Sequence, residues 1–182
     1  MCGIVGQLGR WEGDPSAWLG EAVESLRHRG PDDSGLWRDD AAEVYLGHRR
    51  LAVVDTTVGG HQPFVSDDGR YVMVFNGEVY NHVALRRELE RGGPFRTTSD
   101  TEVLIRAIQR WGLVEALRRV NGMFALAVWD RQDRRMGLAR DRIGEKPLFL
   151  QRRGASWRFA SEMKALRAAG SPAPPVDRAA LA

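Results

Sequence analysis

Residues 124–129 read Phe-Ala-Leu-Ala-Val-Trp, an unbroken apolar run. Side chains alternate between the two faces of a strand, so a strand of this composition needs apolar cover on both sides. Shorter apolar segments at 3–8, 44–46, 51–54, 72–75, 135–139, 148–151 and 157–160 also read as strands, and turn-forming residues separate them. The helical patterns come together rather than between successive strands. The sequence therefore predicts an α+β fold of stacked layers, not alternating βαβ units, and it contains no internal repeat.

Helix boundaries are written in the local chemistry. Asp14 or Ser16 caps a first helix, with Pro15 in its first turn and Trp18, Leu19, Ala22, Val23 and Leu26 on one face. Asn81 and Gly92 bracket a second, from about 82 to 91. Ser99-Asp100-Thr101-Glu102 has the capping-box pattern of a third, and a fourth covers 113–119. The segment 27–35, RHRGPDDSG, is rich in turn formers and reads as an irregular loop. The text changes at Gly170: residues 171–182 are proline-rich and then begin a capped helix. This divides the chain into a domain at 1–170 and, at 171–182, a linker with the start of a further domain.

Several function classes are disfavoured. No apolar run is long enough to span a bilayer, and the N-terminus lacks the features of a secretory signal. The net charge of +3 is mild. The arginines of 131–142 are interrupted by aspartates and read as a solvated face, so neither nucleic acid nor membrane is an expected partner. With one cysteine the chain forms no internal disulfide, and the histidines at 28, 48, 61 and 82 lack metal-ligand spacing. A cytoplasmic location and no bound metal are expected.

That single cysteine is Cys2, directly behind Met1. A small second residue permits removal of the initiator methionine, which would give one residue both a thiol and a free amine. An α-amine titrates at roughly 7.7–8.0, against roughly 10.4 for lysine, so it serves as a base near neutral pH. A nucleophile beside a base is what covalent acyl transfer requires. Taken alone, however, Cys2 reads more readily as a small buried hydrophobe.

The surrounding motifs decide between these readings. The opening MCGIVG is followed in order by RHRGPDDSG, GHRRLAVVD, FNGEVYN, TTSDTEV, GMFALAVWD, RDRIGEKPLF and FASEMKAL. This series resembles the class II glutamine amidotransferases, and most closely the glutaminase domains of asparagine synthetases, almost without a break from Met1 to Arg167. The resemblance implies a four-layer αββα N-terminal nucleophile hydrolase fold.

It also implies roles. Cys2 attacks the glutamine amide carbon. The Asn76 side chain and the Gly77 backbone N–H form the oxyanion hole. Arg50 binds the α-carboxylate, with Arg49 the competing choice because neighbours on a strand face opposite ways. Asp100, helped by Glu78, binds the α-ammonium, and backbone groups at Val53 and Val54 hold the substrate. Asn76-Gly77 is also a strong hairpin dipeptide, and Asp100 also suits a helix start electrostatically. Residues 29–32 are expected to be structural, 61–63 to form a loop over the pocket, and 140–147 to form a buried polar network or domain contact.

No cofactor is expected in this chain. The resemblance places ATP and Mg²⁺ in a C-terminal synthetase domain or separate subunit, which would be the ammonia-accepting partner in asparagine biosynthesis, and it admits a homodimer. The competing readings are a glutaminase serving another acceptor, such as amino-sugar or secondary-metabolite amide synthesis, and a degenerate module without chemistry.

Overall fold

The computed structural model describes residues 1–168. The linker and nascent helix expected at 171–182 lie outside the described residues. Nine strands are present among the described residues: β1 (Gly3–Leu8), β2 (Asp33–Asp39), β3 (Val44–Arg50), β4 (Phe64–Val65), β5 (Tyr71–Val79), β6 (Gly122–Asp130), β7 (Arg135–Arg140), β8 (Phe149–Arg153) and β9 (Ser156–Ala160). The α-helices are α1 (Pro15–Ser25), α2 (His82–Leu89), α3 (Asp100–Trp111), α4 (Leu113–Arg119) and α5 (Met163–Leu166). One sheet has the order β2-β3-β1-β9-β8 and the other β4-β5-β6-β7, and every described pair is antiparallel.

Strand alternation explains how these sheets stack. In β6, Phe124, Leu126 and Val128 join a core built with α2, α3 and α4. Ala125, Ala127 and Trp129 point the other way, into a core shared with Ile4, Val44 and Leu46 of the facing sheet. Strand β5 divides likewise, with Met73 and Phe75 toward the helices and Val72 and Val74 between the sheets. On the far side, Val5, Tyr45 and Ala160 pack against α1 and the short α5. The result is the four-layer αββα stack, and the continuous apolar run is the strand covered on both faces.

Local chemistry sets the ends. The Asp14 carboxylate accepts the Ser16 N–H at 2.8 Å, and the Ser99 hydroxyl accepts the Thr101 N–H at 3.1 Å. The capping box is only half formed. Glu102 reaches back past Ser99 to accept the N–H groups of Arg96 and Thr97 at 2.9 and 2.7 Å. Asn81 stands at the start of α2 without capping it. Its side chain instead accepts the Asn121 N–H and donates to the Arg119 carbonyl, both at 2.9 Å, tying α2 to the start of β6.

Three expectations are corrected. The turn-rich 27–35 segment contributes Asp33–Gly35 to β2, an edge strand paired with β3. Residues 51–54 are not a strand, because their backbone groups are claimed by side chains described below. Asn76-Gly77 makes no hairpin, since both residues lie within β5 opposite Ala125 and Phe124.

Packing on both faces of β6 predicts two different penalties. Leu126→Ala should cost about 2–5 kcal/mol by opening a cavity under the helices. Ala127→Leu should cost about 1–3 kcal/mol by overfilling the space between the sheets. Urea unfolding measures both, and a neutral Ala127→Leu would mean that the sheets are not closely stacked.

Candidate active site

A cavity of about 200 Å³ opens where the two sheets and the start of α3 converge, and Cys2, Arg50, Val53, Val54, Asn76, Gly77, Glu78 and Asp100 all line it. Cys2 immediately precedes β1, the middle strand of its sheet. Its Sγ accepts the Leu51 N–H at 3.3 Å and lies 3.6 Å from the Leu51 carbonyl, to which the thiol donates. The Arg29 guanidinium donates to the Cys2 carbonyl at 2.9 Å and is anchored in turn on Glu162 at 3.0 Å. Burial pushes the Cys2 thiol up from its ordinary value; the Leu51 N–H, the N-terminal ammonium and Arg50 act in the opposite direction, and Asp100 adds to the rise.

Opposite the thiol, Asn76 extends from β5 on the same side as Val72 and Val74, toward the other sheet. It is almost completely buried, and its Nδ2 has no hydrogen-bond partner among the described residues. Leaving a buried donor unpaired costs about 1–3 kcal/mol, and this one belongs to a residue lining the cavity, where an acceptor can meet it. Gly77 beside it is dictated by sheet packing: a Cβ there would lie 2.2 Å from the Met123 carbonyl oxygen.

Two buried charges flank this pair. Arg50, at the end of β3, donates to the carbonyls of Asp55 and, at 2.7 Å, Thr57. Gly60 lets the loop pass close, as a Cβ there would stand 2.0 Å from the guanidinium. Arg49 points away and bonds to Val23 and Glu24 of α1, so of the two arginines it is Arg50 that lines the cavity. Asp100 does not cap α3, a task Ser99 performs. Its carboxylate crosses to accept the Val79 N–H of β5 at 2.8 Å. Burial holds Asp100 above its ordinary value, against the Val79 bond, a nearby His82 and the Thr101 N–H. A carboxylate in this condition is set to receive a cation.

The loop after β3 contributes more than its composition foretold. Asp55 accepts hydrogen bonds from Thr57 at 2.6 and 2.8 Å and from Thr98 at 2.9 and 3.1 Å. Burial raises its carboxyl, but these bonds outweigh burial and hold it at about 2. The Asp32 carboxylate accepts the Ala52 N–H at 2.8 Å, so 29–32 brace the site as expected of a structural loop. The 140–147 segment is a largely exposed turn organised on the buried Asp141, which accepts the backbone N–H groups of Phe124, Ile143, Glu145 and Lys146 at 2.9–3.2 Å. Lys146 and Met123 also line the cavity, and their sequence context gave no signal of this.

The fold is that of the N-terminal nucleophile hydrolases, and a thiol carried by one sheet and an amide carried by the other line a single cavity. Comparison with known proteins agrees. A family profile for the glutamine amidotransferase domain matches residues 1–182, and the chain belongs to that family. It is 40% identical to asparagine synthetase [glutamine-hydrolyzing] 3 of Bacillus subtilis, covering 100% of this chain and 30% of the relative. It is 42% identical to asparagine synthetase [glutamine-hydrolyzing] 3 of Arabidopsis thaliana, over 91% of this chain and 28% of that one. The chain thus spans under a third of the length of these relatives. Glutamine phosphoribosylpyrophosphate amidotransferase from B. subtilis superposes with a TM-score of 0.77 at 25% identity, covering 92% of this chain and 43% of that structure.

His48 yields a pH test of the site's scaffold. It is fully buried, its Nε2 donates to the Phe75 carbonyl at 3.1 Å, and its Nδ1 has no partner among the described residues. Burial lowers its pKa from 6.5 to about 4, although the Phe75 carbonyl pulls the other way. The unfolded chain therefore binds the proton at a higher pH than the folded one. Stability is fully present above about pH 6.5 and declines as the pH falls toward 4, by roughly 3 kcal/mol in all. Urea unfolding between pH 7 and 4.5 should show this slope in the wild type and not in His48→Gln. A flat wild-type profile would contradict a neutral, buried His48.

Proposed function

We propose that this pocket hydrolyses the side-chain amide of L-glutamine through a Cys2 thioester and supplies the ammonia to an ATP-dependent asparagine synthetase domain or subunit. The observation that carries the catalytic part is the buried, unpartnered Asn76 Nδ2 in the same cavity as Cys2 Sγ. A degenerate module would have no reason to keep that costly donor beside a nucleophile. The asparagine part rests on the relatives at about 40% identity, which favour that acceptor over an amino-sugar or secondary-metabolite one.

In this reading, removal of Met1 frees the Cys2 amine, which takes the thiol proton. Sγ attacks the glutamine amide carbon, a C–S bond forms, and the carbonyl electrons move onto oxygen. The Asn76 side-chain amide and the Gly77 N–H stabilise that oxyanion. When it collapses, the C–N bond breaks and the protonated amine gives its proton to the departing nitrogen, releasing ammonia. Water then attacks the thioester, the C–S bond breaks, and glutamate leaves as the thiol regains its proton. Arg50 holds the α-carboxylate. Asp100, aided by Glu78, holds the α-ammonium, and the backbone at Val53 and Val54 lines the substrate. ATP and Mg²⁺ act in the synthetase portion, not through these residues. A reducing, cytoplasmic compartment suits an enzyme that depends on one free thiol.

Cys2→Ala should abolish glutamate release from glutamine, and Asp100→Asn should raise KM steeply with a smaller change in kcat. Losing one member of a desolvated charge pair costs roughly 2–5 kcal/mol, a KM increase of about 30-fold or more. Steady-state assays of both variants test the reading. Undiminished turnover by Cys2→Ala would refute the nucleophile. An Asp100→Asn enzyme that loses only thermal stability would return Asp100 to a purely structural role.

A further inference from the structure

We propose that Gln62 is a positioning residue for catalysis, whose side-chain amide fixes the peptide that carries Asn76 and so aims the oxyanion donor at the reacting carbonyl. The inference rests on the glutaminase reading above and adds a residue to it.

Strand β4 pairs with β5 through Phe64↔Met73 and Val65↔Val72. Continuing that antiparallel register, Gln62 stands opposite Phe75. The Gln62 backbone does not supply that rung, because the strand begins only at Phe64 and the chain departs from the sheet before it. The Gln62 side chain supplies one instead. Its Oε1 accepts the Phe75 N–H at 2.6 Å, and its Nε2 donates to the Phe75 carbonyl at 3.1 Å. One primary amide thus replaces a backbone amide at its register position and satisfies both polar groups of a buried residue.

The position is specific. The Phe75 carbonyl and the Asn76 N–H belong to one planar peptide, so holding the Phe75 oxygen sets the plane from which the Asn76 side chain departs. The same oxygen accepts a second bond, from His48 Nε2 at 3.1 Å. His48 lies in β3 of the facing sheet, so the carbonyl is held from its own sheet's edge and from across the stack. Gln62 Nε2 also lies 3.5 Å from the Thr101 hydroxyl, next to Asp100. Gln62 lines the cavity but is only 4% exposed, and both ends of its amide are engaged by the Phe75 backbone.

Arg50 and Asp100 are held by other contacts, with Asp55, Thr57 and Val79. Disturbing Gln62 should therefore spare recognition of the glutamine backbone and injure the chemical step. Misplacement of about 1 Å in a reacting constellation costs about 10²-fold in rate, and loss of an oxyanion donor costs about 10²–10³-fold. We expect Gln62→Ala to lower kcat about 10–100-fold with KM within about threefold of wild type.

The decisive experiment is a double-mutant cycle of Gln62→Ala and Asn76→Ala, with kcat and KM for glutamine hydrolysis measured alongside thermal stability. If Gln62 acts through Asn76, Gln62→Ala lowers kcat strongly in the wild-type background and by less than about threefold when Asn76 is already alanine. Fully multiplicative losses, or a Gln62→Ala enzyme with unchanged kcat, would overturn the proposal. Should Gln62→Ala fail to fold, Gln62→Glu takes its place in the cycle. It keeps the shape and the acceptor for the Phe75 N–H but loses the donor to the Phe75 carbonyl unless protonated. Its kcat relative to wild type should then rise as the pH is lowered, and a constant ratio would overturn the proposal. Wild-type enzyme inert toward glutamine would instead refute the glutaminase reading itself.

Discussion

The contact on which the site depends is the apolar layer between the two sheets. Cys2 is carried by β1 of one sheet and Asn76 by β5 of the other, and no covalent link sets their separation. Ile4, Val44, Leu46 and Phe159 on one side, and Val72, Val74, Ala125, Ala127 and Trp129 on the other, interlock to fix it. Packing at organic-crystal density transmits displacement rather than absorbing it. The nucleophile and the oxyanion donor are therefore held as rigidly as that core, and the helices on the outer faces serve largely to exclude water from its flanks.

Within this frame the site assembles groups that are unfavourable in isolation. Asp100 is a desolvated carboxylate above its ordinary pKa, Asn76 carries a buried donor without a partner, and the Cys2 thiol is pushed up by burial. In the proposed reaction each cost is offset when glutamine brings a cation, an acceptor oxygen and an electrophilic carbon into the cavity. The surrounding loops are correspondingly well satisfied. Asp55 holds Thr57 and Thr98, and Asp141 gathers four backbone N–H groups. Hydrogen-bonded supports around under-satisfied functional groups are the expected signature of a preorganised site.

Much of this was legible in the sequence, for reasons that are local. The double-sided burial of β6 follows from its unbroken apolar run, and the α1 and α3 starts follow from Asp14 and Ser99. The candidate site residues could be named because their motifs are contiguous, and Cys2, Arg50, Asn76, Gly77, Glu78 and Asp100 all line one cavity. What escaped was non-local. Residues 51–54 have strand composition, yet the Cys2 thiol takes the polar groups of Leu51 and Asp32 takes the Ala52 N–H, leaving no ladder to form. Asp33–Gly35 looks like a turn and is recruited into β2 by pairing with β3. Gln62 read only as part of a covering loop, because its bond to Phe75 depends on a register that emerges when β4 and β5 pair. Composition records what a segment prefers; it does not record which distant side chain will occupy its hydrogen bonds.

The central claim is that glutamine is cleaved by covalent transfer to Cys2. Its most direct test is rapid acid quench of the enzyme during glutamine turnover, followed by mass spectrometry of the proteolysed protein. The account predicts a γ-glutamyl group on the sulfur of Cys2, on a peptide that begins at Cys2, which disappears on treatment with hydroxylamine. Steady glutamate release with no glutamyl group on Cys2 at any quench time, or with the group on another residue, would contradict it.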